Sequence, residues 1–202
     1  MSSQIKEELK QIYNQHADER HKSKKQPWKV KIRQEFLQMI EKDNLTTILD
    51  VGAGTGQDSS FFQNEGLEVT AIDLSNKHVK YCKQKGINAY EMDLYNLSFS
   101  DESFDALYSL NCLLHIPKRD LDDVLIELKR VLKTKGLFYL GVYGGTEFEG
   151  INEKDHYSEK RFFSFYRYEN YLEKLQEHFQ IVKSEKIMLE KDFEFHYFIV
   201  KK

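Results

Sequence analysis

Apolar residues recur at helical spacing near the start of the chain. Steps of three and four residues place side chains on one face of a helix, so the pattern predicts two helices before any strand. The recurring residues are Ile5, Leu9, Ile12 and Tyr13 in the first segment and Ile32, Phe36, Met39 and Ile40 in the second. Residues 14–27 between them are polar, and we expect a mobile connection there.

From position 46 onwards, short runs of β-branched and aliphatic residues replace the helical spacing. The predicted strands cover residues 46–51, 67–72, 87–90, 104–110 and 136–143. Helical segments separate them, and the clearest carries Leu121, Val124, Leu125, Leu128, Val131 and Leu132 on one face. Strands that alternate with helices are joined by right-handed crossovers, which predicts a doubly wound, parallel sheet covered on both faces.

The end of the chain breaks this alternation. A helix is marked by Tyr168, Tyr171, Leu172, Leu175 and Phe179. Two strand runs follow it, 181–189 and 193–200, with only residues 190–192 between them. A link this short joins only antiparallel strands. The sequence therefore predicts an α/β fold whose mostly parallel, seven-stranded sheet is preceded by two helices and finishes on an antiparallel C-terminal strand pair.

The composition is typical of one globular domain. The 202 residues are 40% hydrophobic and 31% charged, which is an ordinary balance for such a protein. The first twenty residues are charged and polar, which excludes a secretory signal, and no run approaches the ~18 apolar residues of a membrane span. Cys82 and Cys112 lack metal-ligand spacing and the histidines are dispersed. We therefore expect a cytoplasmic protein with reduced thiols, no membrane partner and no metal site.

One segment departs from the weakly acidic net charge of −3. Residues 20–33 contain seven Lys and Arg residues and no acid. A solvated helix face is one interpretation of this basic segment. The other is a surface that meets an acidic substrate or closes over a bound ligand.

A glycine-rich turn follows the first predicted strand. Residues 48–57 read Ile-Leu-Asp-Val-Gly-Ala-Gly-Thr-Gly-Gln. Glycine permits a tight turn and lets backbone amides approach a ligand where a side chain would collide. The dinucleotide pattern Gly-x-Gly-x-x-Gly would require a third glycine at position 57, where this chain has Gln57. The glycines stand instead at 52, 54 and 56, after an acid at Asp50.

This Asp-x-Gly-x-Gly-x-Gly arrangement resembles motif I of the class I S-adenosylmethionine-dependent methyltransferases, in the small-molecule (type 11/25 domain) branch. Other segments match the family in the same order, between about residues 45 and 180. They are Val-Thr-Ala-Ile-Asp-Leu-Ser at 69–75, Met-Asp-Leu at 92–94, residues 103–117 with the sequence Asn-Cys-Leu-Leu-His-Ile-Pro at their end, and Arg-Val-Leu-Lys-Thr-Lys-Gly at 130–136. The combination of these motifs is specific, whereas each alone is weak.

The resemblance implies S-adenosylmethionine as cofactor, bound to a Rossmann-like sheet. The implied cofactor-binding residues are Asp50, Gly52, Ala53, Gly54, Gly56, Asp73, Leu74, Asp93, Leu94 and Asn111. Asp73 ends the second strand, where a carboxylate accepts hydrogen bonds from both ribose hydroxyls, and Asp93 would receive the adenine amino group. Asp50 has an equal alternative role, which is to brace the glycine turn through its amides. Asp105 is assigned a structural role at the start of its strand.

His115 is the first candidate for a catalytic base. Its position in the family pattern faces the cofactor, and an unperturbed pKa near 6.5 suits proton transfer at neutral pH. The alternative is that this histidine packs against the cofactor or forms a structural hydrogen bond. In the insertion after the fifth strand, the aromatic residues Phe162, Phe163 and Phe165 either anchor the segment to the sheet or form an apolar wall, with Arg161 or His156 as a polar contact.

The resemblance predicts a single methyltransferase domain over residues 1–202. Cap helices would occupy 1–44, the cofactor-binding core 45–143, the acceptor-side insertion 144–167, and a helix with the C-terminal hairpin 168–202. We expect methyl transfer to an O or N atom of a small molecule that the sequence does not identify. The alternatives are methylation of RNA or protein, motivated by the basic segment, and a non-catalytic cofactor-binding module. The oligomeric state is not readable from these residues.

Overall fold

The computed structural model describes residues 1–202 and contains seven α-helices and nine strands. The helices are α1 (Ser3–Gln15), α2 (Ala17–Lys22), α3 (Pro27–Lys42), α4 (Gln57–Asn64), α5 (Asn76–Gln84), α6 (Leu121–Val131) and α7 (Tyr168–Gln176). The strands are β1 (Thr47–Val51), β2 (Glu68–Asp73), β3 (Asn88–Glu91), β4 (Phe104–Leu110), β5 (Leu132–Gly144), β6 (Phe148–Ile151), β7 (Phe162–Phe165), β8 (Gln180–Glu190) and β9 (Phe193–Lys201). None of the helices combines the length and apolar character that a membrane span needs.

The main sheet has seven strands in the order β3-β2-β1-β4-β5-β9-β8. Strands β1 to β5 pair in parallel, whereas β9 is antiparallel to β5 and β8 is antiparallel to β9. This confirms the predicted Rossmann-like, doubly wound fold, including its antiparallel C-terminal pair.

Helices cover the two faces of the sheet because side chains alternate along each strand. In β5, Phe138 and Leu140 face a core that also contains residues of α6 and α7. Their neighbours Leu137 and Tyr139 face a second core built with α3, α4 and α5. Both faces are therefore buried, as a parallel sheet requires.

Two local features differ from the sequence interpretation. The expected mobile connection at 14–27 contains the helix α2, which buries Ala17 completely. It has acidic residues in its first turn and basic residues in its last, which matches the helix dipole, but its 6 residues are too few to show an apolar period. The insertion after β5 contains the antiparallel pair β6 and β7, which the sequence analysis did not predict.

The topology brings several strand ends together at one edge. Val51 at the end of β1 is paired with Ile72 of β2 and with Ser109 of β4. The chain reverses its order on either side of β1, and in open α/β sheets such a switch point leaves a crevice outside the carboxyl ends of the strands. The glycine-rich turn begins at this point.

At the opposite edge, Asp105 ties three strands together. One of its carboxylate oxygens accepts hydrogen bonds from the backbone N–H of Thr46 and Thr47 and from both hydroxyls, at 2.8–3.2 Å. The other lies 2.8 Å from Lys133 Nζ of β5. Burial acts to raise the pKa of Asp105, but the Lys133 ammonium and the Thr46 and Thr47 donors outweigh it and hold the pKa well below its usual value. This is the structural role expected for Asp105.

We predict that Asp105→Asn lowers the free energy of unfolding at pH 7 by about 1–3 kcal/mol, because charge-assisted hydrogen bonds are lost. A carboxyl with a lowered pKa in the folded state stabilises the protein above its unfolded pKa of about 3.9 and loses that contribution as the pH falls further. The difference between variant and wild type should therefore shrink below about pH 4. Urea unfolding between pH 7 and pH 3 measures it.

The matched control is Asp101→Asn, because Asp101 also bonds a basic side chain, Arg130, but is 76% exposed. It should change stability little. A constant difference between Asp105→Asn and wild type across this pH range would contradict the ionic role of Asp105.

Candidate active site

A cavity of about 730 Å³ lies outside the carboxyl ends of β1, β2 and β4. Residues of the sheet edge that line it are Gly52, Gly54, Ile72, Asp73, Leu74, Met92, Asp93, Leu94, Leu110, Asn111, Cys112, His115 and Ile116, together with His78 of α5. The N-terminal segment contributes Met1, Lys6, Leu9, Tyr13 and Arg20. We call this the first cavity.

A second cavity, of about 720 Å³, adjoins the first across the glycine turn. It is polar and is lined by Arg20, Ser23, Lys24, Lys25, Gln26, Lys29, Asp50, Gly52, Ala53, Gly54, Thr55, Gln57, Asp58, Leu110 and Asn111. Arg20, Gly52, Gly54, Leu110 and Asn111 line both cavities. Every predicted cofactor-binding residue except Gly56 lines at least one of the two cavities.

The glycine turn has the backbone geometry that its sequence indicates. Gly52 and Gly54 have φ angles of 71° and 56°, in the left-handed region that favours glycine. A Cβ on Gly52 would overlap the Cys112 side chain, whereas a Cβ on Gly54 would meet nothing within 4 Å. Gly54 therefore faces open space in the cavities, as a residue that cradles a ligand should.

Gly56 has a different function from the one expected. It precedes α4 with a φ of 74° and lines neither cavity. A Cβ at this position would lie 2.9 Å from Cys82 Sγ and 3.1 Å from Ile87. The geometry assigns Gly56 to close packing of the turn against α5, which corrects its place in the predicted cofactor-binding set. Spacing alone does not separate a ligand-facing glycine from a packed one.

Asp50 lies buried at the end of β1 and lines the second cavity. Its Oδ2 accepts a hydrogen bond from Ser59 Oγ of α4 at 2.5 Å, not from an amide of the glycine turn. Burial raises the pKa of Asp50 to about 7, and the nearby Asp58 carboxylate adds to the effect. The bracing role through turn amides is therefore replaced by a link between β1 and α4.

Asp73 is held in place by three donors. Its carboxylate accepts hydrogen bonds from Gly54 N and Ser75 N, both at 2.8 Å, and from His78 Nδ1 at 3.2 Å. Burial acts to raise the pKa of Asp73, but His78 and the two backbone donors outweigh it and keep the pKa below its usual value. Asp73 is therefore ionised at neutral pH, as a hydrogen-bond acceptor for ligand hydroxyls must be.

Two buried polar atoms among the lining residues have no hydrogen-bond partner. They are Nε2 of His78 and Oδ1 of Asn111. An unpaired buried polar atom costs roughly 1–3 kcal/mol, so such groups are normally satisfied by a ligand or water. Asn111 also has a φ of 56°, in the left-handed region, and it lines both cavities. The donors and acceptors that S-adenosylmethionine requires are thus available here.

Asp93 lines the first cavity. It forms an ion pair with Lys6 of α1, and its Oδ1 accepts a hydrogen bond from Tyr95 N at 3.2 Å. The Asp93 side chain is 36% exposed. The contact with Lys6 connects the cap to the cavity wall on this side, a connection that the sequence analysis did not predict.

His115 does not have the properties expected of a free base. Its Nδ1 lies 2.6 Å from the Phe162 carbonyl oxygen and its Nε2 lies 2.5 Å from the Tyr13 hydroxyl. Since a carbonyl only accepts, Nδ1 carries the proton, and Nε2 accepts the hydrogen bond that Tyr13 donates. Burial lowers the pKa of His115 to about 3. The expectation of a pKa near 6.5 is wrong, because both nitrogens are buried and occupied.

Tyr13 lines the first cavity from α1, and the hydrogen bonds of its hydroxyl were not predicted from the sequence. Its hydroxyl accepts a hydrogen bond from Arg161 Nη1 at 2.9 Å. Arg161 in turn pairs with the buried Asp155 through bonds of 2.6 and 2.7 Å. A buried network therefore connects the cap, the loop after β4 and the insertion.

The aromatic residues of the insertion anchor it. Phe162 and Phe163 are buried, and Phe163 packs on His115 with ring centroids 4.7 Å apart. Neither they nor Phe165 line the cavities. The burial of Phe162 and Phe163 favours the anchoring interpretation over the apolar wall. Of the two polar candidates, Arg161 joins the buried network, whereas the His156 side chain is 63% exposed.

Away from the cavities, Asp122, Glu177 and His178 place ligand atoms within 4.8 Å of one another. Sequence spacing did not indicate this grouping. Lys174 Nζ bonds Asp122 and Glu177 at 3.1 Å each, so an ammonium occupies the position where a cation would bind.

Comparisons with known proteins find a methyltransferase domain and several similar proteins. A family model described as a methyltransferase domain matches residues 49–140. A UPF0146 protein of Methanocaldococcus jannaschii is 31% identical over 103 residues, which are 50% of this chain and 72% of that protein. A demethylmenaquinone methyltransferase of Tropheryma whipplei is 33% identical over 93 residues, 44% of this chain and 38% of that protein. A sterol 24-C-methyltransferase of Gibberella zeae is 32% identical over 105 residues, 48% of this chain but only 27% of that protein.

Solved structures show the same fold. A Burkholderia thailandensis 1,6-didemethyltoxoflavin-N1-methyltransferase with bound S-adenosylhomocysteine superposes with a TM-score of 0.73 at 19% identity, covering 97% of this chain and 88% of that chain. The [4+2]-cyclase SpnF superposes with a TM-score of 0.65 at 19% identity, covering 78% of this chain and 75% of that chain. The sheet order, the glycine turn with Asp73 beside it, and the matched relatives lead to one conclusion: the chain belongs to the class I S-adenosylmethionine-dependent methyltransferases.

Proposed function

We propose that the protein transfers the methyl group of S-adenosylmethionine to an O or N atom of a small molecule. The observation that carries the proposal is the pair of unpaired polar atoms, His78 Nε2 and Asn111 Oδ1, beside the open Gly54 and the ionised Asp73. These groups converge on one cavity at the carboxyl ends of the parallel strands. A cofactor with hydroxyls, an amino group and a carboxylate would satisfy them.

The cofactor would lie along the first cavity and extend past the glycine turn into the second, where Asp50 and Ala53 lie. Asp73 would accept hydrogen bonds from the ribose hydroxyls, Asp93 would receive the adenine amino group, and Leu74 and Leu94 would provide apolar contacts. Arg20, which lines both cavities, would bind the carboxylate. When bound, S-adenosylmethionine supplies a methyl group that is already activated by its sulfonium centre.

With an activated methyl group, the task of the protein is mainly alignment and exclusion of water. Orienting two reactants supplies roughly 7–11 kcal/mol of a reaction barrier. Leu9, Tyr13 and Arg20 of the cap close the cavity, and the hydrogen bonds of Tyr13 to His115 and Arg161 fix the cap above it. We assign His115 a positioning role, since it holds the Tyr13 hydroxyl and takes up no proton near pH 7.

A small-molecule acceptor agrees with the structure better than a nucleic acid does. The basic segment 20–33 motivated the RNA alternative, but much of its charge is not free. Lys25 and Arg33 pair with Asp58 at 2.6 and 2.8 Å, and Lys29 is buried. Relatives named for sterol and demethylmenaquinone methylation support the same class of acceptor.

The test is release of S-adenosylhomocysteine from S-adenosylmethionine across fractionated metabolite pools. We expect release with a small-molecule fraction and none with RNA or protein fractions. A non-catalytic binding module would bind the cofactor yet release nothing with any fraction, and that result would contradict the proposal.

For Asp73, we predict that replacement by Asn weakens S-adenosylhomocysteine binding by about 2–4 kcal/mol, because charge-assisted hydrogen bonds to the ribose are lost. Titration calorimetry measures it. Glu68→Gln is the matched control, since Glu68 is exposed at the opposite end of the same strand, and it should bind as wild type does. NADH should give no heat. Unchanged affinity in folded Asp73→Asn would refute the assignment.

For His115, we predict that replacement by Asn lowers turnover without moving the pH profile. With a pKa of about 3, His115 stays neutral from pH 5 to 8, so it cannot produce an acid limb there. Comparing kcat/KM of wild type and variant over that range tests this. Loss of an acid limb near pH 6 to 7 in the variant would show that His115 is a base after all.

A further inference from the structure

His16 lies where the cap meets the insertion after β5. It is the residue at which α1 ends and α2 begins. Its ring stacks on the ring of Tyr157 in the insertion, with centroids 3.8 Å apart and planes inclined by 14°. The His16 side chain is only 18% exposed. A change in this residue therefore affects the contact between two segments that are distant in sequence.

Both ring nitrogens of His16 face carboxylates. Nδ1 lies 3.2 Å from an oxygen of Glu19 in α2, and Nε2 lies 3.2 Å from an oxygen of Glu159 in the insertion. A carboxylate only accepts hydrogen bonds, and a neutral imidazole carries one N–H. Neutral His16 can therefore bond only one of these partners, and its other nitrogen turns a lone pair towards a negative charge. Only the imidazolium form satisfies both contacts.

The charged groups at this contact come from α2 and the insertion. Those that face His16 or the Tyr157 ring are Glu19 and Arg20 of α2 and Asp155, His156, Glu159 and Arg161 of the insertion. Hydrogen bonds from Ser158, from its own backbone amide, from His16 and from Gln15 hold the pKa of Glu159 at about 2. Glu159 is thus ionised at every pH near neutrality, whereas a histidine ordinarily changes its charge between pH 5 and 8.

This contact bears on access to both cavities. Arg20 of α2 lines both of them, and Tyr13 of α1 lines the first. In α1 and α2 the buried residues are only Leu9, Ile12 and Ala17. Segments with few buried apolar contacts open locally at low free-energy cost. The polar contacts of the cap, including those of His16, therefore determine how firmly it is held over the cavities.

We propose that His16 is a pH-dependent latch, which in its protonated form binds Glu159 and Glu19 together and holds the cap closed over the cavities. Loss of the proton leaves one of these contacts unsatisfied, so the latch is strongest at low pH and weakens as the pH rises. The inference goes beyond the proposed function, because it concerns the opening of the cap and not the transfer reaction.

The expected effect is modest, because the Glu19 and Glu159 side chains are 67% and 39% exposed. Ion pairs of this kind change an equilibrium by about two- to fivefold. Amide hydrogen exchange of the ligand-free protein measures the opening directly. Protection, taken as the exchange rate relative to that of an unstructured chain at the same pH, should be about two- to fivefold higher at pH 6 than at pH 8 in residues 3–22 and 152–161. Peptides of the central strands provide the internal reference.

Three variants test whether His16 is responsible. His16→Gln has no titrating group and should lose the difference between pH 6 and pH 8. His16→Arg keeps a planar cation with several donors, so its cap should stay protected at both pH values. His21→Gln is the matched control: His21 stacks on Tyr81 with centroids 4.2 Å apart and planes inclined by 14°, but it forms no ion pair. It should retain the wild-type difference.

Dissociation of S-adenosylhomocysteine tests whether the latch controls access. Stopped-flow fluorescence of Trp28, the only tryptophan, follows the release, since the adjacent Lys29 lines the second cavity. Release from wild type should be about two- to fivefold slower at pH 6 than at pH 8, and slow at both in His16→Arg.

Equal cap protection at the two pH values in wild type, or a difference that persists in folded His16→Gln, would overturn the proposal. A pH-dependent cap without any effect on the dissociation rate would also overturn it, because the latch would then not control access. Failure of S-adenosylhomocysteine to bind at all would instead refute the proposed function. The exchange measurements on the ligand-free protein would still decide whether His16 latches the cap.

Discussion

The rest of the site depends on the tight turn that follows β1. Gly52 and Gly54 adopt left-handed backbone angles, and the absence of a Cβ on Gly52 lets the Cys112 side chain pack directly against it. The loops after β1 and β4 therefore approach each other closely. The Gly54 amide in turn donates to Asp73 at the end of β2, so one turn fixes three strand ends. Both cavities include residues of this turn among their walls, so their positions depend on it.

The charged groups near this turn differ in pKa and in ion pairing because their surroundings differ. Asp73 keeps its charge because His78 and two amides donate to it, whereas burial next to Asp58 raises the pKa of Asp50 to about 7. The cations of the basic segment divide in the same way: Lys25 and Arg33 neutralise Asp58, while Lys29 faces the second cavity with only a hydroxyl partner. The basic segment thus contains two kinds of cation. Lys25 and Arg33 form ion pairs within the protein, whereas Lys29 has no carboxylate partner.

The sequence predicted the features that neighbouring residues determine and missed those that depend on residues far away in the chain. All seven strands of the main sheet were predicted. Strands β1, β4 and β5 are buried on both faces and therefore carry apolar runs, whereas the edge strand β3 has one buried residue and the edge strand β8 has none. Helix α2 was missed because it is short and is stabilised by its terminal charges and by Ala17. The pKa of His115 was beyond prediction, since it depends on Phe162 and Tyr13, which are 47 and 102 residues away in sequence. The packing role of Gly56 depends in the same way on Cys82 and Ile87.

The fold alone does not determine the chemistry, since a methyltransferase and a [4+2]-cyclase both superpose on this chain. Selectivity for a reaction and a substrate must therefore depend on the segments outside the sheet, which are the N-terminal cap and the insertion after β5. Here the cap is joined to them by Tyr13, which contacts His115 after β4 and Arg161 of the insertion. The cap thus cannot move without breaking a buried network that also holds the insertion. The positions of the cap and of the insertion are consequently coupled through Arg161, which the buried Asp155 holds in place.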